Sequence, residues 1–350
     1  MTRIAVIPGD GIGVEVTREA TETLRAAAAR SGRPVAFEEF PYGADHFLRT
    51  GETLPQAGFE RLQTFDAILL GALGDPRVPD NRHAADILLG LRFRLDLYVN
   101  HRPVRLLDER LCPLKGRKAE DVDFVIFREN TEGLYAGVGG FFKKGTPDEI
   151  ATQEDINTRK GVERILRYAF TWAREHGRKR VLMSDKSNAL TYGHDLWQRA
   201  FREVAAEYRD IEASHMYVDA LAMQLVKDPS AFEVIVACNM FGDILSDLGA
   251  QIQGGLGLAA SANLHPGRIG LFEPVHGSAP KYAGQGVANP VGAILSAAML
   301  FDTVGRGDEA RAIENAVAGA VRDGKTTKDL GGQLSTSQMG EEIRRRLKSS

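Results

Sequence analysis

Short β-rich segments alternate with helical segments along most of the chain, and this alternation constrains the fold more than any other feature. The predicted strands include "RIAVIPGDG", "DAILLGALG", "DVDFVIFREN" and "FEVIVACN", with helical patterns such as residues 15–30 and 160–175 between them. Such alternation favours a mostly parallel sheet. We therefore predict an α/β fold whose chemistry lies beyond the carboxyl ends of the strands, where polar residues follow them.

Composition excludes several classes of function. The 350 residues are 43% hydrophobic and 26% charged, with a net charge of −3, so no basic footprint for nucleic acid or an anionic membrane is present. No apolar run approaches the roughly 20 residues that cross a bilayer, and the start lacks a secretory pattern. Cys112 and Cys238 are too few for a disulfide framework or a zinc site. These features favour a cytoplasmic protein that binds neither nucleic acid nor membrane.

Two acids share one face of the apolar helix "NMFGDILSDLGA". Asp243 and Asp247 are four residues apart, so their like charges repel unless a cation lies near them. Carboxylate oxygens suit Mg²⁺ or Mn²⁺. Asp219, in "MYVDALAMQLV", is a candidate third ligand. The alternatives are solvated acids or residues that cap helix starts.

Arginine residues supply a second candidate set. Arg92, Arg102 and Arg128 lie in apolar or structured segments rather than in charge runs. Together they could hold carboxylate groups through paired hydrogen bonds. Ordinary pairing with nearby acids such as Asp96 is the alternative for any one of them.

Two further side chains are candidate proton carriers. Lys186, in "SDKSNAL", follows a predicted strand, and a lysine near arginines or a metal can act as a base. Tyr135, at the end of "RENTEGLY", is a candidate acid near a carbanion or enolate. Either residue alone is more often structural.

The glycine-rich segments differ in what they indicate. "IPGDGIG" fails the dinucleotide fingerprint because Val14 stands at its last position, so we predict a tight turn that enters a helix. "FEPVHGSAPKYAGQGVANP" contains a loop of small residues whose amides can approach a phosphate. A surface loop is the alternative. The loop residues are His276, Gly277, Ser278 and Ala279, followed by Lys281 and Tyr282.

In this order, "LYVNHRPV", "RENTEGLY", "NMFGDILSDL" and "FEPVHGSAPKYAGQGVANP" resemble the β-decarboxylating dehydrogenases that act on isopropylmalate, isocitrate, homoisocitrate and tartrate or D-malate. The resemblance runs from one end of the chain to the other. It implies the α/β fold of isocitrate and isopropylmalate dehydrogenases, not a Rossmann fold, with a cleft separating two domains. Residues 1–99 and 255–350 would form the cofactor-side domain, and residues 100–254 a second domain with dimer contacts.

The resemblance also implies roles for the candidate residues. Asp243 and Asp247 would bind the metal together with Asp219 of the other chain, in a homodimer with shared active sites or a tetramer. Lys186, also from that chain, would be the base and Tyr135 the acid. The three arginines would hold the carboxylates of a malate-type 2-hydroxy acid during NAD(P)-linked oxidative decarboxylation.

The helix segment "DILLGLR" implies the substrate. Ile87, Leu88 and Leu89 would form an apolar wall, which suits an isopropyl group and leaves a third carboxylate unpaired. This favours 3-isopropylmalate, converted to 2-oxoisocaproate in leucine biosynthesis. "RENTEG", where isopropylmalate enzymes carry "RELTGG", and the segment after it are more similar to tartrate/D-malate dehydrogenases, which are the alternative. Isocitrate and homoisocitrate are less favoured.

The resemblance favours NADP, with NAD as the alternative. Lys281 stands where NAD-using relatives carry an acid, and a lysine favours a 2′-phosphate. Lys328 adds charge, but Gly332 stands where NADP-using relatives have an arginine. The resemblance further assigns four residues to the cofactor site: Asn188, Glu273, Asn289 and Asp329.

Two rival functions remain. One is an inactive regulatory subunit, although such chains usually lose a metal acid, the lysine or the tyrosine. The other is a metal-dependent phosphate-binding or hydrolytic protein, which leaves Lys186 and Tyr135 without roles.

Overall fold

The alternation of strands and helices is present in the structure, a computed structural model that describes residues 1–349. In chain order the strands are β1 (Thr2–Gly9), β2 (Val35–Glu39), β3 (Ala67–Ala72), β4 (Val99–Arg105), β5 (Asp123–Glu129), β6 (Gly139–Phe142), β7 (Ile150–Gln153), β8 (Arg180–Asp185), β9 (Glu212–Tyr217), β10 (Val234–Ala237), β11 (Ala260–Leu264) and β12 (Gly270–Pro274). The helices are α1 (Gly13–Ser31), α2 (Ala44–Thr50), α3 (Gln56–Leu62), α4 (Arg82–Arg94), α5 (Arg159–Glu175), α6 (Gly193–Ala205), α7 (Val218–Lys227), α8 (Asn239–Ile252), α9 (Val291–Thr303), α10 (Gly307–Arg322) and α11 (Thr336–Ser349).

The chain forms two compact units. The first contains Met1–Leu97, Arg102–Val122 and the chain from Ala250 onward. Its strands follow the order β2, β1, β3, β12, β11, with parallel pairs except for the antiparallel pair of β11 and β12. Helices α1, α9, α10 and α11 pack together in this unit.

Side chains of β1 face two separate cores, as the two-residue period of a strand requires. Ile4 and Val6 lie in the core that includes α1 and α9, whereas Ala5 and Ile7 lie in the core that includes α4. Every residue of β3 is buried, which is typical of a strand covered on both faces.

The second unit contains Tyr98–His101 and Asp123–Gly249. Its parallel strands follow the order β5, β10, β8, β9, and the strands β6 and β7 form a separate antiparallel hairpin. Helices α5 and α6 pack together and carry apolar faces that are buried.

The unit boundaries differ from the predicted domain boundaries, since residues 102–122 and 250–254 join the first unit rather than the second, and residues 98–99 join the second rather than the first. The Arg105 main-chain amide donates to Gln253 Oε1 at 2.8 Å. Arg110 Nη2 donates to the carbonyl of Val321 at 3.2 Å. The chain passes between the units four times, after Leu97, His101, Val122 and Gly249. The second of these points lies inside β4 and the fourth inside α8, so no linker composition marks them.

The glycine turn after β1 has the predicted form. Gly9 and Gly11 have φ angles of 73° and 58°, and a Cβ at Gly11 would lie 2.1 Å from the carbonyl oxygen of Ser278. Within residues 1–349, no helix has both the length and the apolar character that crossing a bilayer requires.

Candidate active site

Arg128 is the centre of a polar cluster at the carboxyl end of β5. Its side chain is only 2% exposed. Its Nε donates to Asn239 Oδ1 at 2.9 Å, and its Nη1 donates to Asp243 Oδ1. A Cβ at Gly242 would lie 2.6 Å from the Arg128 Cβ, so glycine permits α8 to approach this close.

Tyr135 completes the cluster from a 3₁₀ turn, Leu134–Ala136. Its hydroxyl donates to Asp243 Oδ2 at 2.7 Å, and the Arg128 guanidinium carbon lies 4.9 Å from its ring centroid. Asn239 Nδ2 donates to the carbonyl of Glu132 at 3.0 Å, which ties this segment to the start of α8. A candidate acid, a candidate carboxylate-binding arginine and a candidate metal ligand therefore contact one another.

Asp243 and Asp247 lie one turn apart on α8. Because α8 begins at Asn239, Asp243 lies inside the helix, and the interpretation of Asp243 as a helix cap is wrong. The side chain of Asp243 is 31% exposed, and Asp247 is exposed. Asp247 can therefore accept a ligand from solvent.

Lys186 follows β8 directly, as the sequence predicts, and contacts the third candidate acid. Its Nζ donates to Asp219 Oδ1 at 2.8 Å, and this hydrogen bond lowers the pKa of Asp219. Asp219 lies in the first turn of α7 and is exposed. The structure thus brings the base candidate and Asp219 together in one place, and Tyr135, Arg128 and Asp243 together in another.

The carboxylates fit a hard divalent cation in their donor chemistry but not in their number within one chain. Among residues 1–349, no group of three or more His, Cys, Asp or Glu side chains lies close enough to hold a metal ion. Asp243 and Asp247 can supply two oxygen ligands from one helix face. A complete set therefore needs at least one ligand from outside this chain.

In the first unit, Arg92 lies in the last turn of α4, where it is buried. Its Nη2 donates to Glu273 Oε1 at 2.9 Å, and Asn263 Nδ2 donates to the same oxygen at 2.9 Å. Glu273, predicted for the cofactor site, thus contacts Arg92, which is predicted to bind the substrate. Arg102, in β4, is 7% exposed.

The three apolar residues of α4 that were predicted to form a wall point in different directions around the helix. Ile87 is fully buried in the core of the first unit, so it cannot belong to the predicted apolar wall. Leu88 is half-buried against that core, and Leu89 is half-buried without belonging to it. Leu89 is the member of the three with most freedom to face a ligand.

The loop after β12 is built against the glycine turn, not as a loose surface loop. Ser278 is buried; its hydroxyl donates to the carbonyl of Gly74 at 2.6 Å, and its carbonyl accepts from the Ile12 amide at 2.8 Å. Ala279 adopts a left-handed conformation with φ of 38°. The loop residues Gly277 and Lys281 and the ring of Tyr282 are exposed beside it.

His276 supplies an atom that fits a polar ligand. Its Nε2 is buried without a hydrogen-bond partner, and burial lowers the pKa of the imidazole. Asn289 Nδ2 donates to Asp329 Oδ2 at 2.9 Å, while Asn289 Oδ1 accepts from the Val291 amide at the start of α9. Asn188, predicted for the same cofactor, is exposed in the loop after Lys186.

Sequence reasoning missed a buried pair that joins the glycine turn after β1 to the first turn of α4. Asp10 Oδ2 lies 2.8 Å from His83 Nε2 and accepts from the Gly74 amide at 2.8 Å. Asp10 Oδ1 accepts from the Ala44 amide at 2.6 Å. The only available sign was an acid inside a glycine turn. Asn239 was also missed, although it follows β10 as a polar residue at a strand's end.

The structure thus holds buried guanidinium groups in both units, and carboxylates beside a tyrosine and a lysine in the second unit, on an α/β framework. A model of the family described as isocitrate/isopropylmalate dehydrogenase matches residues 3–343. The chain belongs to this family, and it is a decarboxylating dehydrogenase. The predicted family and fold class are confirmed.

Individual relatives agree with this assignment. A 3-isopropylmalate dehydrogenase of Thermobifida fusca is 49% identical over 99% of this chain and 97% of its own. A tartrate dehydrogenase/decarboxylase of Pseudomonas putida is 44% identical over 97% of this chain and 96% of its own. The solved structure of an isocitrate dehydrogenase from Methylococcus capsulatus matches with a TM-score of 0.91 at 39% identity, and 99% of each chain is covered.

Proposed function

We propose that the chain catalyses the metal-dependent, NAD(P)-linked oxidative decarboxylation of 3-isopropylmalate to 2-oxoisocaproate, a reaction of leucine biosynthesis. The observation that carries the choice of substrate is on α4, where Leu89 stands half-buried three residues before the buried Arg92. An apolar side chain beside a guanidinium group suits a substrate that has both a carboxylate and an isopropyl group. Several relatives named 3-isopropylmalate dehydrogenase, among them those of Thermobifida fusca and Frankia casuarinae, support it.

Asp243, Asp247 and Asp219 of the partner subunit would hold Mg²⁺ or Mn²⁺. When bound, such an ion lowers the pKa of a coordinated hydroxyl and stabilises the negative charge that develops on substrate oxygens. Asp243 already accepts hydrogen bonds from Arg128 and Tyr135, which fix its orientation for this task.

The proton transfers are assigned to two residues. Lys186 Nζ, oriented by Asp219, would in its neutral form remove the proton of the substrate hydroxyl, and a bound NAD(P) would supply the hydride acceptor. Tyr135 Oη returns a proton to carbon after carbon dioxide leaves, and its hydrogen bond to Asp243 orients it. Arg92, Arg102 and Arg128 bind the carboxylates, and the burial of all three strengthens those bonds.

The cofactor would bind at the loop after β12, with NADP preferred and NAD as the alternative. His276 Nδ1 donates to the carbonyl of Gly277 at 3.0 Å, so Nε2 of the neutral ring carries a lone pair that can accept a hydrogen bond from a ribose hydroxyl. Lys281 is exposed and places a positive charge beside Tyr282, its Nζ lying 4.7 Å from that ring. A positive charge there favours a 2′-phosphate over bare ribose hydroxyls.

The active form would be a homodimer whose subunits exchange Lys186 and Asp219. Large apolar side chains of the second unit support this, because each is more than half exposed and would be covered by a partner. They are Phe141, Phe142 and Ile150 in the β6–β7 hairpin, Met223 in α7 and Ile244 in α8. Both cysteines are free thiols, which suits a reducing cytoplasm.

The second candidate is tartrate or D-malate, supported by the Pseudomonas putida relative. Glu132, the second glutamate of "RENTEG", does not add to this support. Glu132 accepts hydrogen bonds from the Thr158 amide at 2.8 Å and from the Thr158 hydroxyl at 2.5 Å. It therefore fixes the start of α5, and its presence says little about the substrate.

The test is a substrate panel read by the absorbance of the reduced nicotinamide. 3-Isopropylmalate, D-malate, tartrate, isocitrate and homoisocitrate are each assayed with Mn²⁺ or Mg²⁺ and with NAD or NADP. We expect the highest kcat/KM for 3-isopropylmalate with NADP, and measurable turnover of D-malate. A higher value for D-malate or tartrate would transfer the assignment to the second candidate, and no reduction with any acid would reject the dehydrogenase proposal.

A further inference from the structure

His194 holds the main chain of Lys186. It lies in the first turn of α6, is fully buried, and its Nδ1 is 2.8 Å from the Lys186 amide nitrogen. A main-chain N–H can only donate, so Nδ1 must carry a lone pair and the proton of a neutral ring must be on Nε2. Nε2 is buried without a hydrogen-bond partner and lies 3.9 Å from Asp155 Oδ2.

This hydrogen bond fixes the one main-chain group of Lys186 that the loop itself leaves open. The Lys186 carbonyl accepts from the amides of Ala189 at 2.9 Å and Leu190 at 2.8 Å. His194 Nδ1 accepts from the Lys186 amide, and Asp219 Oδ1 accepts from the Lys186 ammonium group at 2.8 Å. The lysine is therefore held at its amide, its carbonyl and the end of its side chain.

The same ring also contacts the helix of the metal ligands. The His194 ring is 5.5 Å from the Phe241 ring, at an interplanar angle of 71°. Phe241 lies in the first turn of α8, which carries Asp243 and Asp247. The buried His194 side chain thus contacts both the loop that carries Lys186 and helix α8, which carries Asp243 and Asp247.

We propose that His194 is a positioning residue for proton transfer: through the Lys186 amide, its neutral imidazole sets the direction of the lysine side chain toward Asp219. The inference rests on the proposed function, because it takes Lys186 as the base. It assigns His194 no contact with the substrate.

Two substitutions separate the hydrogen bond from simple packing. His194→Asn keeps an oxygen acceptor near the position of Nδ1, whereas His194→Leu keeps apolar volume and removes the acceptor. Trp197→Phe is the matched control: Trp197 is equally buried on α6 and its Nε1 donates to Asn157 Oδ1, not to the lysine segment.

With 3-isopropylmalate as substrate, we expect His194→Leu to lower kcat about tenfold or more while KM changes by less than about twofold, because the ground-state ligands remain. His194→Asn should recover most of kcat, and Trp197→Phe should keep kcat within about threefold of the wild type. Equal losses in His194→Leu and Trp197→Phe, or equal losses in the leucine and asparagine variants, would overturn the inference.

A second measurement needs no turnover. Acetylation of Lys186 by a trace of acetic anhydride, followed by peptide mass spectrometry, reports how firmly the ammonium is held. We expect Lys186 to react about threefold or more faster in His194→Leu than in the wild type, since a lysine released from its carboxylate is less protected. Unchanged reactivity would overturn the positioning role. Wild-type protein that reduces no cofactor would reject the proposed function, and the acetylation result would still decide whether His194 orients Lys186.

Discussion

Arg92 and Glu273 form a buried ion pair, with Nη2 and Oε1 2.9 Å apart and the side chains 5% and 10% exposed. Removing one partner of such a pair leaves a charge in a poorly hydrated place, which typically costs about 3–5 kcal/mol. Glu273 also accepts a hydrogen bond from Asn263, so removal of the Glu273 carboxylate leaves a second buried donor without this acceptor. The carboxylate therefore fixes the orientation of Arg92, which we propose binds the substrate, and stabilises the first unit.

We expect Glu273→Ala to lower the free energy of unfolding, measured by urea denaturation, by about 3 kcal/mol or more. Asp308→Ala is the control. Its pair with Arg311 is on the surface, with side chains 94% and 67% exposed, and should contribute under about 1 kcal/mol. Similar losses in the two variants would show that the Arg92 pair is not effectively buried.

Tyr135→Phe tests the proposed acid. The phenylalanine keeps the ring beside Arg128 but removes the hydroxyl that donates to Asp243. General acid catalysis typically contributes about 10²–10⁴-fold, so kcat should fall by about 100-fold or more while KM for 3-isopropylmalate changes little. Tyr192→Phe, at a tyrosine 92% exposed in the same unit, should keep wild-type kcat. A kcat for Tyr135→Phe within twofold of the wild type would remove the acid role.

The structure explains which parts of the site the sequence could predict. Strand and helix positions followed from the alternation of apolar runs, and the shared face of Asp243 and Asp247 followed from helix geometry. Lys186 was placed correctly because strand β8 ends directly before it. Each of these predictions depends on residues that are close in the chain.

The missed features depend on contacts that spacing does not encode. Arg92 and Glu273 are 181 positions apart, and only the packing of α4 in the first unit brings them together. Ile87 was assigned to the substrate wall although it faces the core, because three consecutive apolar residues do not reveal the phase of a helix. The sequence gives no sign of a role for His194, because its acceptor role requires the fold of the Lys186 loop.

Leu89→Arg tests whether Leu89 of α4 determines the preference among substrates. Leu89 is half-buried and outside the apolar core, so an arginine there can reach a ligand without a large loss of stability. We expect the ratio of kcat/KM for isocitrate or homoisocitrate to that for 3-isopropylmalate to rise about tenfold or more, since a new cation pairs the third carboxylate. Leu89→Met should keep the original preference. An unchanged ratio in Leu89→Arg would show that this position does not face the substrate.

We expect His101 to make the stability of the second unit depend on pH. Although part of its surface reaches solvent, its ring lies 5.0 Å from Phe127 and 5.5 Å from Trp172, and burial lowers its pKa from 6.5 to about 3. A histidine whose pKa is lower in the folded than in the unfolded state takes up its proton on unfolding. The stability that neutral His101 contributes above pH 6.5 is therefore lost as the pH falls from 6.5 toward 3.

His101→Leu should remove this dependence while keeping apolar volume beside Phe127. In the wild type, the contribution of His101 falls by about 2 kcal/mol between pH 6.5 and pH 5, at about 1.4 kcal/mol per pH unit. Urea denaturation at pH 7.5 and pH 5 should show a smaller drop for His101→Leu by about that amount. Phe127→Leu trims the enclosing ring but keeps the imidazole, so it should lower stability at both pH values and retain most of the drop. The same drop in His101→Leu and the wild type would mean that His101 is already hydrated in the folded protein, and the acid sensitivity would then belong to other groups.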